Sequence, residues 1–143
     1  MADSELVGTW ALVATEWRRA DGRHANPFGA GAVGVLTYDA AGNMAAQVMR
    51  AERPTAPDGH STSMEAAMAS AFAGYIGYFG TYEIDRARGV VVHTVIGSAY
   101  PLWVGGTHNR RFSVEGNRLT LCDSVLATDG TAVEASTIWQ RID

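Results

Sequence analysis

His93 lies within the apolar run Val90 to Ser98, where an imidazole that titrates near neutral pH could act as a general acid or base. The alternative is a hydrogen-bonded strand histidine with no chemistry. Arg110 precedes the apolar pair Phe112 and Val114 by two and four places, so strand alternation puts Arg110 and His108 on the same inward face. A guanidinium in an apolar lumen is costly without a partner, so Arg110 should meet Glu16, a bound anion or ordered water. It would then either hold a ligand carboxylate or enolate, or form a structural ion pair with Glu16 or Glu83. With Trp10 inside, the same alternation turns Leu12, Ala14 and Glu16 inward and Val13, Thr15 and Trp17 outward. Glu16 becomes a carboxylate near an open mouth, able to move a proton or to tune His93. His93, Glu16 and Arg110 are therefore the candidate catalytic set, if there is catalysis.

Around these polar groups stands a set of candidate contacts. Tyr38 and Tyr82 could donate hydrogen bonds to a ligand carbonyl, or could serve as wall; Tyr78 and Phe112 are further candidate contacts. Trp103, just after Tyr100-Pro101, could cover a ligand or staple its loop to the body of the fold. Met64, Met68, Phe72 and Tyr75 fall at helical spacing; the stripe is either an adaptable lid or the apolar face of a plugging helix.

Several kinds of chemistry find no support. His24, His60, His93 and His108 show no HxH or HxxxH spacing and no CxxC occurs, so no metal is expected. The stretch Gly29 to Gly34 matches neither a Walker loop nor a GxGxxG fingerprint, and no GxSxG elbow surrounds a serine. Cys122 is the single cysteine and reads as a core thiol. A net charge of -4 disfavours nucleic acid, and apolar stretches are interrupted before the ~20 residues of a membrane span. With neither a disulfide nor a leader pattern, a cytoplasmic location is expected.

These side chains must be held by strands. Strand-like segments run from Leu6 to Arg19, Ala32 to Tyr38, Met44 to Arg50, Gly77 to Ile84, Val90 to Ser98, His108 to Val114, Leu119 to Ser124 and Val133 to Ile142. Turn residues such as Asp21-Gly22, Asp39 to Asn43, Asp85 to Gly89, Glu115-Gly116-Asn117 and Asp129-Gly130 separate many of them, the pattern of an up-and-down antiparallel meander. Thr62 and Glu65 form a capping-box pattern ahead of one short helix between the third and fourth strands. A flexible segment is expected from Ala51 to Ser63. The 143 residues fit one domain, 1–143.

Further facings follow from alternation. Tyr78, Tyr82 and Ile84 point inward with Gly80 between them, leaving room for a ligand. Gly34, Leu36 and Tyr38 are favoured inward on the second strand. Neither face of Val90 to Ser98 is polar enough to decide where His93 points. On the last strand Thr137, Trp139 and Arg141 oppose Ile138 and Gln140. If Trp139 packs beside Trp10, the two indoles form a closed end, with Gly8 giving a neighbouring strand close approach.

Taken in order, the chain resembles the bacterial lipocalin-like domain family of calycin-type barrels. The matching pieces are Gly8-Thr9-Trp10-Ala11-Leu12-Val13; Pro27-Phe28-Gly29; Gly34-Val35-Leu36-Thr37-Tyr38-Asp39 with Gly42-Asn43-Met44; Gly80-Thr81-Tyr82-Glu83-Ile84-Asp85; His93 with Ser98, Pro101, Trp103 and Gly105; Arg110; Leu119-Thr120-Leu121; and Trp139-Gln140-Arg141. The resemblance implies an all-β, eight-stranded up-and-down antiparallel barrel around an apolar pocket, and little about its contents. The leading expectation is a binder of a small hydrophobic ligand, without a cofactor, contacted by Glu16, Tyr38, Met68, Phe72, Tyr78, Tyr82, His93, Trp103, Arg110 and Phe112. The rival is a cofactor-free isomerase or cyclase acting by confinement on a polyketide-like or terpenoid-like substrate in natural-product biosynthesis, in which Arg110 or a tyrosine stabilises charge while His93 or Glu16 moves a proton. A homodimer through an exposed strand face is left open, as is a non-catalytic interaction module built on Trp17.

Overall fold

The computed structural model describes residues 5–23, 28–53, 64–126 and 132–143. Eight strands follow one another as β1 (Gly8–Arg19), β2 (Val33–Tyr38), β3 (Asn43–Met49), β4 (Tyr75–Asp85), β5 (Val90–Ser98), β6 (Thr107–Glu115), β7 (Arg118–Leu126) and β8 (Ala132–Arg141). One helix, α1 (Met64–Ala73), lies between β3 and β4, and a single 3-10 turn, Pro101–Trp103, joins β5 to β6. Each strand pairs antiparallel with the next, and β8 returns to β1, closing the barrel. Closure leaves every strand paired on both sides. The expected order of elements is thus the observed one. The expected flexible segment and capping box fall on or next to residues 54–63, and that segment lies outside the described residues.

Alternation sorts the core. Leu36 and Tyr38 of β2, Met44, Ala46 and Val48 of β3, Tyr78 and Tyr82 of β4, Val91, His93 and Val95 of β5, and Leu119 and Leu121 of β7 are all buried. On β6 the inward set is His108, Arg110, Phe112 and Val114, each more covered than its neighbours. The open question on β5 is settled by register: inward Tyr82 lies opposite His93, so His93 shares its face.

Two bulges break this regularity. On β1 the pairing with β8 shifts between Leu12 and Ala14, leaving Val13 as an extra residue, 45% exposed. One inserted residue moves all later side chains to the opposite face. Thr15 is consequently buried and Trp17 turns into the barrel, whereas Glu16 points outward and pairs with Arg18 at 2.5 Å. The expected inward carboxylate and outward Trp17 are both reversed. On β5 the pairing skips Ile96, between Val95 opposite Gly80 and Gly97 opposite Phe79. There a Cβ on Gly80 would run into the Thr94 carbonyl, so this glycine admits a neighbouring backbone and leaves no room for a ligand.

One end of the barrel is sealed. Trp10 is fully buried, its indole donates to the Leu6 carbonyl at 3.0 Å, and the Arg141 guanidinium lies over its ring at 4.3 Å. Arg141 also donates to the carbonyls of Val7 (2.7 Å) and Glu5 (2.6 Å). Gly8 has a φ of 143°, and a Cβ there would strike the Arg141 guanidinium. The glycine of the Gly-x-Trp run therefore makes room for an arginine side chain on the neighbouring last strand. Trp139 is inward too, but its indole donates to Thr137 Oγ1 at 2.8 Å and forms wall above the seal.

Candidate functional site

Above the sealed end the barrel encloses a cavity of about 280 Å³. This is roughly twice a ~150 Å³ cavity that holds benzene, and near the small end of ligand sites. Its wall is mostly apolar, with Leu36, Val48, Ile76, Leu121 and Trp139 among the lining residues. The ionisable groups cluster on one side, where β4, β5, β6 and β7 present Tyr78, His93, His108, Arg110 and Asp123.

His93 is the hinge of this cluster. It has no accessible surface, and both ring nitrogens are engaged: Nε2 lies 2.6 Å from the Tyr38 hydroxyl and Nδ1 lies 2.7 Å from that of Tyr78. Burial, and then the nearby Arg110 and His108, hold its imidazole well below the usual histidine range, so the ring is neutral at pH 7. Burial likewise keeps the Tyr38 hydroxyl protonated well above the normal tyrosine range.

Arg110 is the cation of the cavity. Burial by itself would weaken its basicity, but Tyr78 and Asp123 outweigh that penalty and the group is more firmly charged than a free arginine. Its Nη1 lies 3.4 Å from Asp123 Oδ2, and Tyr78 shares the cavity wall with it. The partner expected among Glu16 and Glu83 is thus replaced by Asp123, since Glu16 faces out beyond the bulge and Glu83 stands on the outward face of β4. Asp123 was missed. Its signal was in the sequence, two places beyond Leu121 and four beyond Leu119 on the same face.

His108 differs from His93. Burial, with Arg110 as the second cause, also holds it below the ordinary range, yet its Nε2 is buried without a hydrogen-bond partner. The Trp103 indole covers it edge-on at 4.7 Å between ring centres. Trp103 meets Tyr78 as well, and Tyr100 joins Trp103 to Phe72 of α1, so an aromatic chain runs from the mouth to the polar cluster. An open apolar recess outside this chain shares Trp17, Phe28, Ile76 and Trp103 with the cavity wall.

Of the residues expected at the site, Tyr78, His93, Trp103 and Arg110 line the cavity. Tyr38 reaches it through His93. Tyr82 packs edge-on against Tyr38 at 4.7 Å with its hydroxyl tied to the Asp39 carbonyl, and Phe112 packs on the core, so both stand outside the cavity wall. Phe72 borders the outer recess. Met68, 63% exposed, faces solvent with Met64, because α1 buries only the small Ala67. The methionine stripe neither caps nor plugs the lumen. Trp17, Phe28, Thr137 and Trp139 are wall residues that were not expected at the site; Trp17 was hidden by the bulge.

Among the described residues no three His, Cys, Asp or Glu side chains converge to hold a metal ion. No described helix is long and apolar enough to cross a membrane. Cys122 lies beside Ser136, 3.3 Å from its hydroxyl, outside the cavity wall.

No curated protein matches the chain. The family model described as a lipocalin-like domain matches residues 7–142, from just before the glycine that accommodates Arg141 to just beyond that arginine. The closed eight-stranded barrel is what such a match requires, and the chain belongs to the lipocalin-like domain family.

Proposed function

We propose that this barrel binds a small, mostly apolar molecule in its lumen. The observation that carries the reading is a cavity of about 280 Å³ whose wall is mostly apolar and whose ionisable groups form one cluster. Apolar wall supplies affinity in such a site, and a few polar groups set orientation. Native mass spectrometry of the purified protein tests it directly, with a bicyclic aromatic probe as a follow-up. A co-purified apolar compound, or saturable probe binding that is lost on replacing Leu36 or Leu121 by Asp in a variant that still folds, is the expected result. Folded protein that takes up no apolar probe of this size would sink it.

A second reading, cofactor-free isomerisation or cyclisation, is favoured by the neutral His108 beside charged Arg110 in one wall. A base and an anion-stabilising cation in one cavity are the parts needed to move a proton next to a carbonyl. The proton-moving role passes from His93 to His108, because tyrosines occupy both nitrogens of His93. Prolonged incubation with the co-purified compound separates the readings: a carrier returns it unchanged, while an enzyme converts it at a rate that His108→Asn lowers more than it lowers affinity.

A further inference from the structure

We infer that Tyr78 presents its hydroxyl proton to the lumen and, with Arg110, forms a corner for a carbonyl or anionic oxygen, so that the apolar ligand enters oxygen-first. The inference rests on the lumen-binding reading and deepens it. A neutral imidazole has one N–H and one lone pair, so of the two tyrosines on His93 one must donate and the other accept.

The two arrangements are unequal. If Nε2 carried the proton, it would donate to Tyr38, and the hydroxyl proton of Tyr38 would be left in the core. Tyr38 is 1% exposed, is not part of the cavity wall, and has His93 as its one hydrogen-bond partner. A buried donor left unmade is expensive. If Nδ1 carries the proton instead, Tyr38 donates to Nε2 and is satisfied. The Tyr78 oxygen then accepts from His93 Nδ1–H. Its own O–H is then the group still seeking an acceptor, in a residue that lines the cavity.

Hydrogen bonds in such a chain polarise one another, so the His93 donor onto the oxygen strengthens Tyr78 as a donor. Tyr38 and His93 are positioning residues here: they fix where the proton of Tyr78 goes and meet no ligand themselves in this arrangement. Arg110 offers its remaining N–H groups from the neighbouring wall. A ligand oxygen between the two is doubly held, and the apolar remainder lies against Leu36, Val48 and Trp139.

The test uses three probes of nearly equal shape on the intact protein: 2-naphthoate, 2-acetylnaphthalene and 2-ethylnaphthalene. Tyr78→Phe is expected to weaken the ketone about tenfold, one hydrogen bond's worth. The hydrocarbon should change by less than about twofold, since no bond to it is lost. Arg110→Met should weaken naphthoate more than it weakens the ketone. Two-bond proton–nitrogen correlation on histidine-labelled protein should find the His93 proton on Nδ1, a signature that a purely space-filling Tyr38–His93 pair has no reason to favour. A proton on Nε2, or a Tyr78→Phe variant that affects ketone and hydrocarbon alike, would overturn the inference while leaving lumen binding standing. If no probe enters the folded wild-type protein, lumen binding itself fails.

Discussion

Arg141 and Arg110 are both inward-facing arginines on strands of the same barrel, and their surroundings differ completely. At the sealed end Arg141 stacks on Trp10 and donates to the carbonyls of Val7 and Glu5. In the cavity wall Arg110 has one loose contact, to Asp123 at 3.4 Å. A guanidinium carries five N–H groups, and protein atoms engage far more of the capacity of Arg141 than of Arg110. Arg141 is spent on structure. Arg110 keeps hydrogen-bonding capacity in a place where a ligand can use it, which is how one residue type yields a plug in one location and a binding group in another.

Matched substitutions probe this contrast most strongly. Arg141→Met should cost roughly 2–4 kcal/mol in urea unfolding, through the lost cation–π contact and two charge-assisted bonds. Arg110→Met should cost less, about 1 kcal/mol, because it loses one loose 3.4 Å contact to an Asp123 carboxylate that is 27% exposed and that water can solvate instead. It should instead weaken anionic probes. Equal stability losses at the two sites would erase the distinction.

A smaller effect comes from pH. His93 and His108 are both held below the unfolded histidine value of about 6.5, so the unfolded chain binds more protons at mildly acid pH. Their contribution to stability is complete above about pH 6.5 and is lost as pH falls below it, by up to about 1.4 kcal/mol per pH unit for each ring. Urea titrations from pH 8 to 5 should show a plateau and then this decline, and His108→Asn should make it shallower. A flat profile would mean that neither ring is buried neutral. The smallest effect is expected outside the barrel. Glu16→Ala removes an exposed pair with Arg18 and should shift stability by under about 0.5 kcal/mol, with no change in probe affinity. A large loss of binding would return Glu16 to the lumen.

Much of this arrangement is written in local alternation, and the exceptions have physical reasons. On β6 the run from His108 to Val114 alternates without interruption, so Phe112 and Val114 are enough to place Arg110. On β1 the extra residue falls within Ala11-Leu12-Val13-Ala14, four apolar side chains that suit either face, and nothing local marks where the parity changes. The facing of His93 depends on pairing with β4, a contact that its own apolar run does not encode. The helix misled for a different reason. Its large residues form a regular stripe, but the barrel accepts only the methyl-sized Ala67 at the contact, so the bulkier side chains stay outside. The polar cluster itself was legible as residue types but not as bonds, because Tyr38, His93 and Asp123 come from strands far apart in sequence.

The pairing of β1 with β8 sets Trp10 beside Arg141, so residues near the start and the finish of the chain emerge from the same sealed pole. A tether or reporter placed on exposed Ile142 leaves from that pole, while the 3-10 turn carrying Trp103 stands over the opposite entrance. Protein immobilised this way would display its doorway to the bulk solution, and small molecules could come and go without passing the anchor.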